Sequence, residues 1–357
     1  MSVLDLARPE LLRMQPYSSA RMEASEGRVW LNANELPWSH IEGRASGLNR
    51  YPEPQPATLT NALAALYGTR VQHIFVGRGS DEAIDLLTRA FCAAGASNIV
   101  ISPPVFGMYA VAARVQGAAV REVPLLLDRA YAYDAANVLA AVTAQTRLVY
   151  ICTPNNPTGN SIDPATIAQM AQSLRDRALL VVDEAYAEFS DGPTAIELLD
   201  RFDNLVVLRT LSKAHGLAGA RIGVALAAAP VIELLRRIMP PYPLPSICID
   251  AALAALQPGA LSLTGERVAL LKSERQRLQQ ALSHADGVID VLPSSANFLT
   301  VRLSDAEATY QRLSAAGVIV RSLRKYAGLA DALRISIGTP EENVAVLSAL
   351  NVQQRAA

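Results

Sequence analysis

The chain has 357 residues, 51% hydrophobic and 18% charged, long enough to bury a large core and to divide into two domains. Its net charge is −1 and its pI about 6.5, which excludes a global field for nucleic acid or for an acidic membrane and leaves small partners of neutral or mixed charge. Cys92, Cys152 and Cys248 are too scattered for a disulfide framework, and His40, His73, His215 and His284 lack the spacing of metal ligands, so no metal is expected.

Residues 1–30 read as an arm, where Asp5, Arg8, Glu10 and Arg13 interrupt any signal-peptide core. A stiff loop follows at Arg50-Tyr51-Pro52-Glu53-Pro54, presenting Tyr51, which by itself reads as a packing residue. Leu59, Leu63 and Leu66 predict a helix over 58–67 closed by Gly68. A strand at 74–76 then meets Gly77-Arg78-Gly79-Ser80-Asp81-Glu82 and a second helical pattern through Ile84, Leu87 and Phe91. Such a helix start can hold a phosphate on its free N–H groups, or can simply be capped by Ser80 or Asp81. Another strand ends at Ile101, before PPVFGMY at 103–109, where Phe106 either stacks on a flat ring or packs in the core.

Strand signals recur at 119–123 and 148–152, the second running into Thr153-Pro154-Asn155-Asn156-Pro157-Thr158-Gly159, where Asn156 is either a held ligand donor or turn chemistry. A helix over 164–177 precedes the strand LLVV and then Asp183-Glu184-Ala185-Tyr186. Asp183, if buried, needs a cation, because an unpaired internal carboxylate costs several kcal/mol. The run at 205–208 delivers Ser212 and Lys213 into a glycine-rich loop. Lysine occurs only at 213, 272 and 325 among 32 basic residues, and only a primary amine can condense with an aldehyde, so a Schiff base at Lys213 competes with a plain surface lysine. The longest apolar stretch, 222–232, contains Pro230 and is too short to cross a bilayer, which makes the cytoplasm the expected compartment.

The alternation over 70–225 predicts an α/β doubly wound domain with a mostly parallel sheet, expected to occupy 31–245. Prolines at 240, 241, 243 and 245 mark a junction, after which a long amphipathic helix, strands at 297–303, 318–322 and 333–337, and a capping box from Thr339 to Glu342 predict a smaller α+β domain over 246–357.

In this order, the GSDE, PPVFGMY, NNPTG, DEAY and SKAHGLAGARIG segments resemble the fold-type I pyridoxal-phosphate enzymes of the aspartate aminotransferase superfamily, over nearly the whole chain. PYSSAR, LNANE, RYPEP, NNPTGN, DEAYAEF and LRISIGT look most like the histidinol-phosphate aminotransferase family. The resemblance implies pyridoxal 5'-phosphate joined to Lys213 as a Schiff base, with Asp183 at its ring nitrogen, Asn156 and Tyr186 at its phenolate, and Phe106 on its ring face. It puts the cofactor phosphate at Ser80, Asp81, Glu82, Ser212 and Arg221, with Tyr51 arriving from the second subunit of a homodimer. Tyr17, Asn156, Arg321 and Arg334 would bind substrate, and Arg321 reads equally as a surface charge. The implied reaction takes L-histidinol phosphate and 2-oxoglutarate to imidazole acetol phosphate and L-glutamate. An aromatic-amino-acid aminotransferase and a threonine-phosphate decarboxylase share the scaffold. A non-enzymatic regulator would carry a DNA-binding module for which the arm is too short. Leu36, His215 and Phe106 depart from common family residues and bear on substrate choice.

Overall fold

The computed structural model describes residues 2–18, 29–40 and 47–350; Ser19, Ala20 and Arg21 of the PYSSAR motif lie outside them. Seven strands form the larger sheet: β1 (Ile74–Arg78), β2 (Asn98–Ile101), β3 (Ala119–Glu122), β4 (Thr146–Cys152), β5 (Leu179–Asp183), β6 (Leu205–Thr210) and β7 (Ile222–Ala227). Their order is β1-β7-β6-β5-β4-β2-β3. From β3 to β6 every pairing is parallel, and β7 alone runs against its neighbours.

β5, β6 and β7 are buried at every position, which requires helices on both faces and explains their unbroken aliphatic sequences. Val181, Val206 and Leu208 point to one core, shared with Leu87, Ala113 and Ile232. Leu180, Val182 and Val207 point to the other, shared with Leu59, Leu63, Ile167 and Met170. Four helices supply most of this cover: α1 (Ala57–Tyr67), α2 (Ser80–Phe91), α3 (Met108–Gln116) and α4 (Pro164–Leu174). α1 ends on Gly68 in the left-handed conformation at φ 61°, as its sequence predicts.

The 222–232 stretch, expected only to be apolar and too short for a membrane, is in fact β7 followed by the start of α5 (Ala229–Ile238). Pro230 stands in the first turn of α5, where its missing N–H removes no hydrogen bond.

Past the proline cluster, α6 (Ser246–Ala255) still packs on the larger sheet through Ile249 and Ala252. The packing therefore changes sides one helix later than the expected start at 246, along α7 (Pro258–Leu282), whose Leu278 and Leu282 enter a separate core. That core backs a four-stranded antiparallel sheet of order β10-β11-β9-β8, from β8 (Val288–Val291), β9 (Phe298–Leu303), β10 (Arg321–Ser322) and β11 (Ala332–Ser336). The strand expected over 318–322 is reduced to the last two residues, because Gly317 ends the preceding helix and only Arg321 and Ser322 pair with β11. Thr339 and Glu342 form a capping box at the terminal helix. No single helix among the described residues is long and apolar enough to cross a membrane.

Candidate active site

The parallel strands of the larger sheet all end at one edge, where ligands of such sheets bind. The loop after β1 carries Gly79 and Ser80, that after β4 carries Asn156, that after β5 carries Tyr186, and that after β6 carries Ser212 and Lys213. Because β7 is reversed, its beginning lies at this same edge and brings Arg221. These residues, with Asp81, Phe106 and Asp183, line a single cleft with about 490 Å³ of empty space.

One wall is the start of α2. Gly79 precedes it at φ 77° and offers no side-chain cap, so the first N–H groups of the helix face the cleft unclaimed by side chains. β7 presses directly on this turn: a Cβ on Gly223 would lie 2.0 Å from Ser80 N. Arg221, itself left-handed at φ 56°, reaches across it, with Nη2 donating to Asp81 at 3.1 Å and Nη1 3.5 Å from Ser212 Oγ. The expected N-cap at Ser80 or Asp81 is corrected to Gly79, and Ser80 is the first helical residue. Glu82 also departs from expectation: it does not line the cleft, since its carboxylate accepts from the backbone N–H of Arg78 at 2.7 Å and from that residue's guanidinium.

The floor is Asp183, 3% exposed at the end of β5. Tyr109 Oη donates to Oδ2 at 2.7 Å and the N–H of Ala185 donates to Oδ1 at 3.1 Å. Burial pushes this carboxyl up to about 6, against the pull of those two donors. Among the described residues no cationic side chain pairs with it. A carboxylate held this deep calls for a cation from outside the chain.

Lys213 Nζ sits 5.5 Å from the centre of the Tyr186 ring. Burial, then the positive charges of Arg334 and Arg221, lower its pKa and favour the neutral amine. Asn156 Nδ2 donates to Tyr186 Oη at 3.1 Å, while Asn156 Oδ1 accepts from Arg334 Nη1 at 2.6 Å. Arg334, on β11, therefore brings the smaller sheet to the rim of the cleft. Arg321 is its cross-strand neighbour but is exposed. Tyr17 is 68% exposed in a different groove, with Arg8 and Arg237. Tyr51, 50% exposed, stacks on Tyr242 with centroids 4.3 Å apart and does not line the cleft of its own chain.

Three neighbours of the site were missed in the sequence. Tyr109 stands one helical turn beyond Phe106 in PPVFGMY, a spacing that could have placed the two rings together. Cys152, read as packing, lines the cleft, and burial raises its thiol pKa so that it stays protonated. Arg209 is buried between Glu184 at 3.0 Å and Glu188 at 2.6 Å, tying β6 to the turn that carries Tyr186; an arginine inside an aliphatic strand was its available signal.

The donor set suits pyridoxal 5'-phosphate. A helix start with a hydroxyl and a guanidinium fits a phosphate, the uncompensated Asp183 fits a pyridinium nitrogen, and a primary amine whose pKa is lowered by burial fits an aldehyde.

The chain matches the model of the family described as aminotransferase class I and II over residues 24–350. It is 51% identical over 357 residues to a histidinol-phosphate aminotransferase of Xanthomonas euvesicatoria pv. vesicatoria strain 85-10, covering 99% of this chain and 98% of that one. Among solved structures, the histidinol-phosphate aminotransferase of Sinorhizobium meliloti in complex with pyridoxal-5'-phosphate superposes with a TM-score of 0.76 at 29% identity, covering 84% of this chain and 82% of that one. An L-threonine-O-3-phosphate decarboxylase of Porphyromonas gingivalis gives a TM-score of 0.73 at 24% identity over 85% and 90% of the two chains, a likeness of fold alone.

Proposed function

This chain belongs to the histidinol-phosphate aminotransferases, within the class I and II aminotransferases, and on that premise we propose that it converts L-histidinol phosphate and 2-oxoglutarate to 3-(imidazol-4-yl)-2-oxopropyl phosphate and L-glutamate. The observation that carries the substrate is the end-to-end identity of 51% with the Xanthomonas enzyme, since the fold is shared with a decarboxylase.

Pyridoxal 5'-phosphate, when bound, supplies the electron sink that stabilises negative charge at the substrate α-carbon. Lys213 would hold the aldehyde end and, once the substrate amine has displaced it, its Nζ would take and return the α-proton, a role suited to a lysine whose pKa is lowered by burial. Asp183 keeps a proton on the pyridine nitrogen, which supplies the cation its burial calls for. Asn156 and Tyr186, already hydrogen-bonded to each other, donate to the phenolate oxygen, and Phe106 covers the ring. The N–H groups of Ser80, Asp81 and Glu82 would hold the phosphate with Ser212 and Arg221, while the Glu82 carboxylate is engaged by Arg78. Arg334 receives the carboxylate of glutamate or the phosphate of the other substrate, because a guanidinium fork fits both, and Tyr17 and Arg321 assist at the substrate phosphate.

Residues 1–30 are read as an arm, the larger sheet and its helices as the cofactor domain and the smaller sheet as the second domain. The working unit is read as a cytoplasmic homodimer in which Tyr51 reaches the phosphate of the partner subunit. Exposed Tyr51 supports this reading.

Turnover with a panel of amines, with and without 2-oxoglutarate, tests the function. Histidinol phosphate should be the preferred donor and should require the acceptor. A preference for phenylalanine by about a hundredfold in kcat/KM, or carbon dioxide release from threonine phosphate without acceptor, would reject the proposal.

A further inference from the structure

The task proposed for Asp183 needs a carboxylate that stays ionised and aimed although it is buried. Tyr109 is 0% exposed on α3, with its hydroxyl donating to Asp183 Oδ2 at 2.7 Å. Its ring is fixed on both sides. It stacks on Tyr150 at 4.4 Å and 12°, and it meets Phe106 edge-on at 5.6 Å and 81°. The ring that faces the cleft and the acid on its floor are thus both braced by one phenol. The N–H of Ala185 holds the other oxygen, so the carboxylate plane has two fixed donors.

The geometry points to Tyr109 as a positioning residue for Asp183: its O–H, aimed by two aromatic contacts, holds the carboxylate in its charged form and fixes its orientation toward the cleft.

The donor itself is secure, since burial and the neighbouring carboxylate both keep the Tyr109 phenol protonated far above its usual range. The other groups facing Asp183 do not replace it. Asp81 on α2 and Glu184 on the following turn raise its proton affinity, Lys213 on the loop after β6 has its own pKa lowered by burial, and Cys152 and Tyr150 on β4 and Tyr186 stay protonated through burial.

Sign follows from linkage. The folded Asp183 protonates at about 6 against an ordinary 3.8, so between those values the folded chain holds a proton that the unfolded chain has lost. Apo-protein stability contributed by this group therefore falls as pH rises through that interval, and the deficit is complete above it. Removing the phenol hydroxyl raises the proton affinity further, widens the interval upward and deepens the deficit at neutral and alkaline pH.

This inference rests on the cofactor reading only for its purpose, and it is tested on the apo protein, so its failure is separate from a failure of that reading. Tyr109→Phe is compared with Tyr150→Phe, a buried tyrosine stacked on Tyr109 whose hydroxyl makes no hydrogen bond to Asp183. Unfolding is measured at about pH 5 and about pH 8. Tyr109→Phe should lose about tenfold more of its folding equilibrium constant at the higher pH than at the lower, and Tyr150→Phe should show no such difference. In an Asp183→Asn background the pH dependence of Tyr109→Phe should vanish. Equal losses at both pH values, or a pH dependence that survives Asp183→Asn, overturn the inference. If Tyr109→Phe does not fold, 3-fluorotyrosine at position 109 keeps the hydroxyl and makes it a stronger donor. It should move the stability profile toward lower pH, and an unmoved profile overturns the inference equally.

Discussion

Lys213 differs from the other two lysines in its surroundings. Lys272 is paired with Asp191 and Lys325 is exposed, whereas Lys213 opens onto the cleft and lies near two guanidinium groups. Condensation with an aldehyde needs the neutral amine, so the rate at which apo protein takes up pyridoxal 5'-phosphate should rise with pH and level off below the ordinary lysine value of 10.5. Borohydride trapping at successive pH values, followed by peptide mapping, should find the pyridoxyl group on position 213. Arg334→Leu removes a positive neighbour and should move that midpoint upward; a midpoint that stays put would show that Arg334 does not contribute to it. Lys213, Asp183 and Asn156 were legible in the sequence because amine, acid and amide stand just beyond apolar strands, where packing has no use for them. Tyr109 was hidden because an aromatic inside a helical pattern reads as core, and it is core in every respect except its hydroxyl.

At the scale of elements, the phosphate wall depends on how closely β7 approaches the first turn of α2. Only a residue without a side chain fits at 223, since an added Cβ would stand 2.0 Å from backbone atoms of Gly79 and Ser80 that no rotamer change can move. Gly223→Ala must push the helix start away from the strand. The expected loss is about 1–3 kcal/mol of stability, as for other overpacked interiors, with weaker cofactor uptake. Calorimetry of the apo protein and a cofactor titration measure both, and unchanged affinity would mean that the turn is not the phosphate wall. The sequence showed this turn as strand, glycine, helix, but it hid the reversed strand behind it. An aliphatic run such as 222–227 carries no sign of its direction, and direction is what delivers Arg221 to the cleft rather than to the opposite edge. Arg209 was likewise unreadable in role, because its two carboxylate partners lie in a turn 20 or more residues earlier, at separations of 25 and 21.

The whole molecule was legible in outline. Apolar runs without alternation announced a covered parallel sheet, and the proline cluster announced a change of architecture, while the exact helix at which the packing changes sides depended on Ile249 and Ala252 finding the larger core. What one chain leaves open is a surface. Val29, Leu31 and Trp38 are 75%, 84% and 71% exposed, close in sequence to Tyr51, and large apolar side chains left outside a core favour a partner surface. If that partner is a second copy with Tyr51 crossing to its cleft, two defective chains can repair each other. Lys213→Ala keeps Tyr51, and Tyr51→Ala keeps Lys213. In a mixed dimer one cleft then lacks both groups and the other lacks neither. Random reassortment of the two variants should restore tight, reducible cofactor sites in roughly a quarter of all clefts. Were Tyr51 to act within its own chain, every mixed dimer would carry one defect in each cleft and no tight site would return. Titration of the reassorted mixture at limiting pyridoxal 5'-phosphate, against each variant alone, separates the two arrangements.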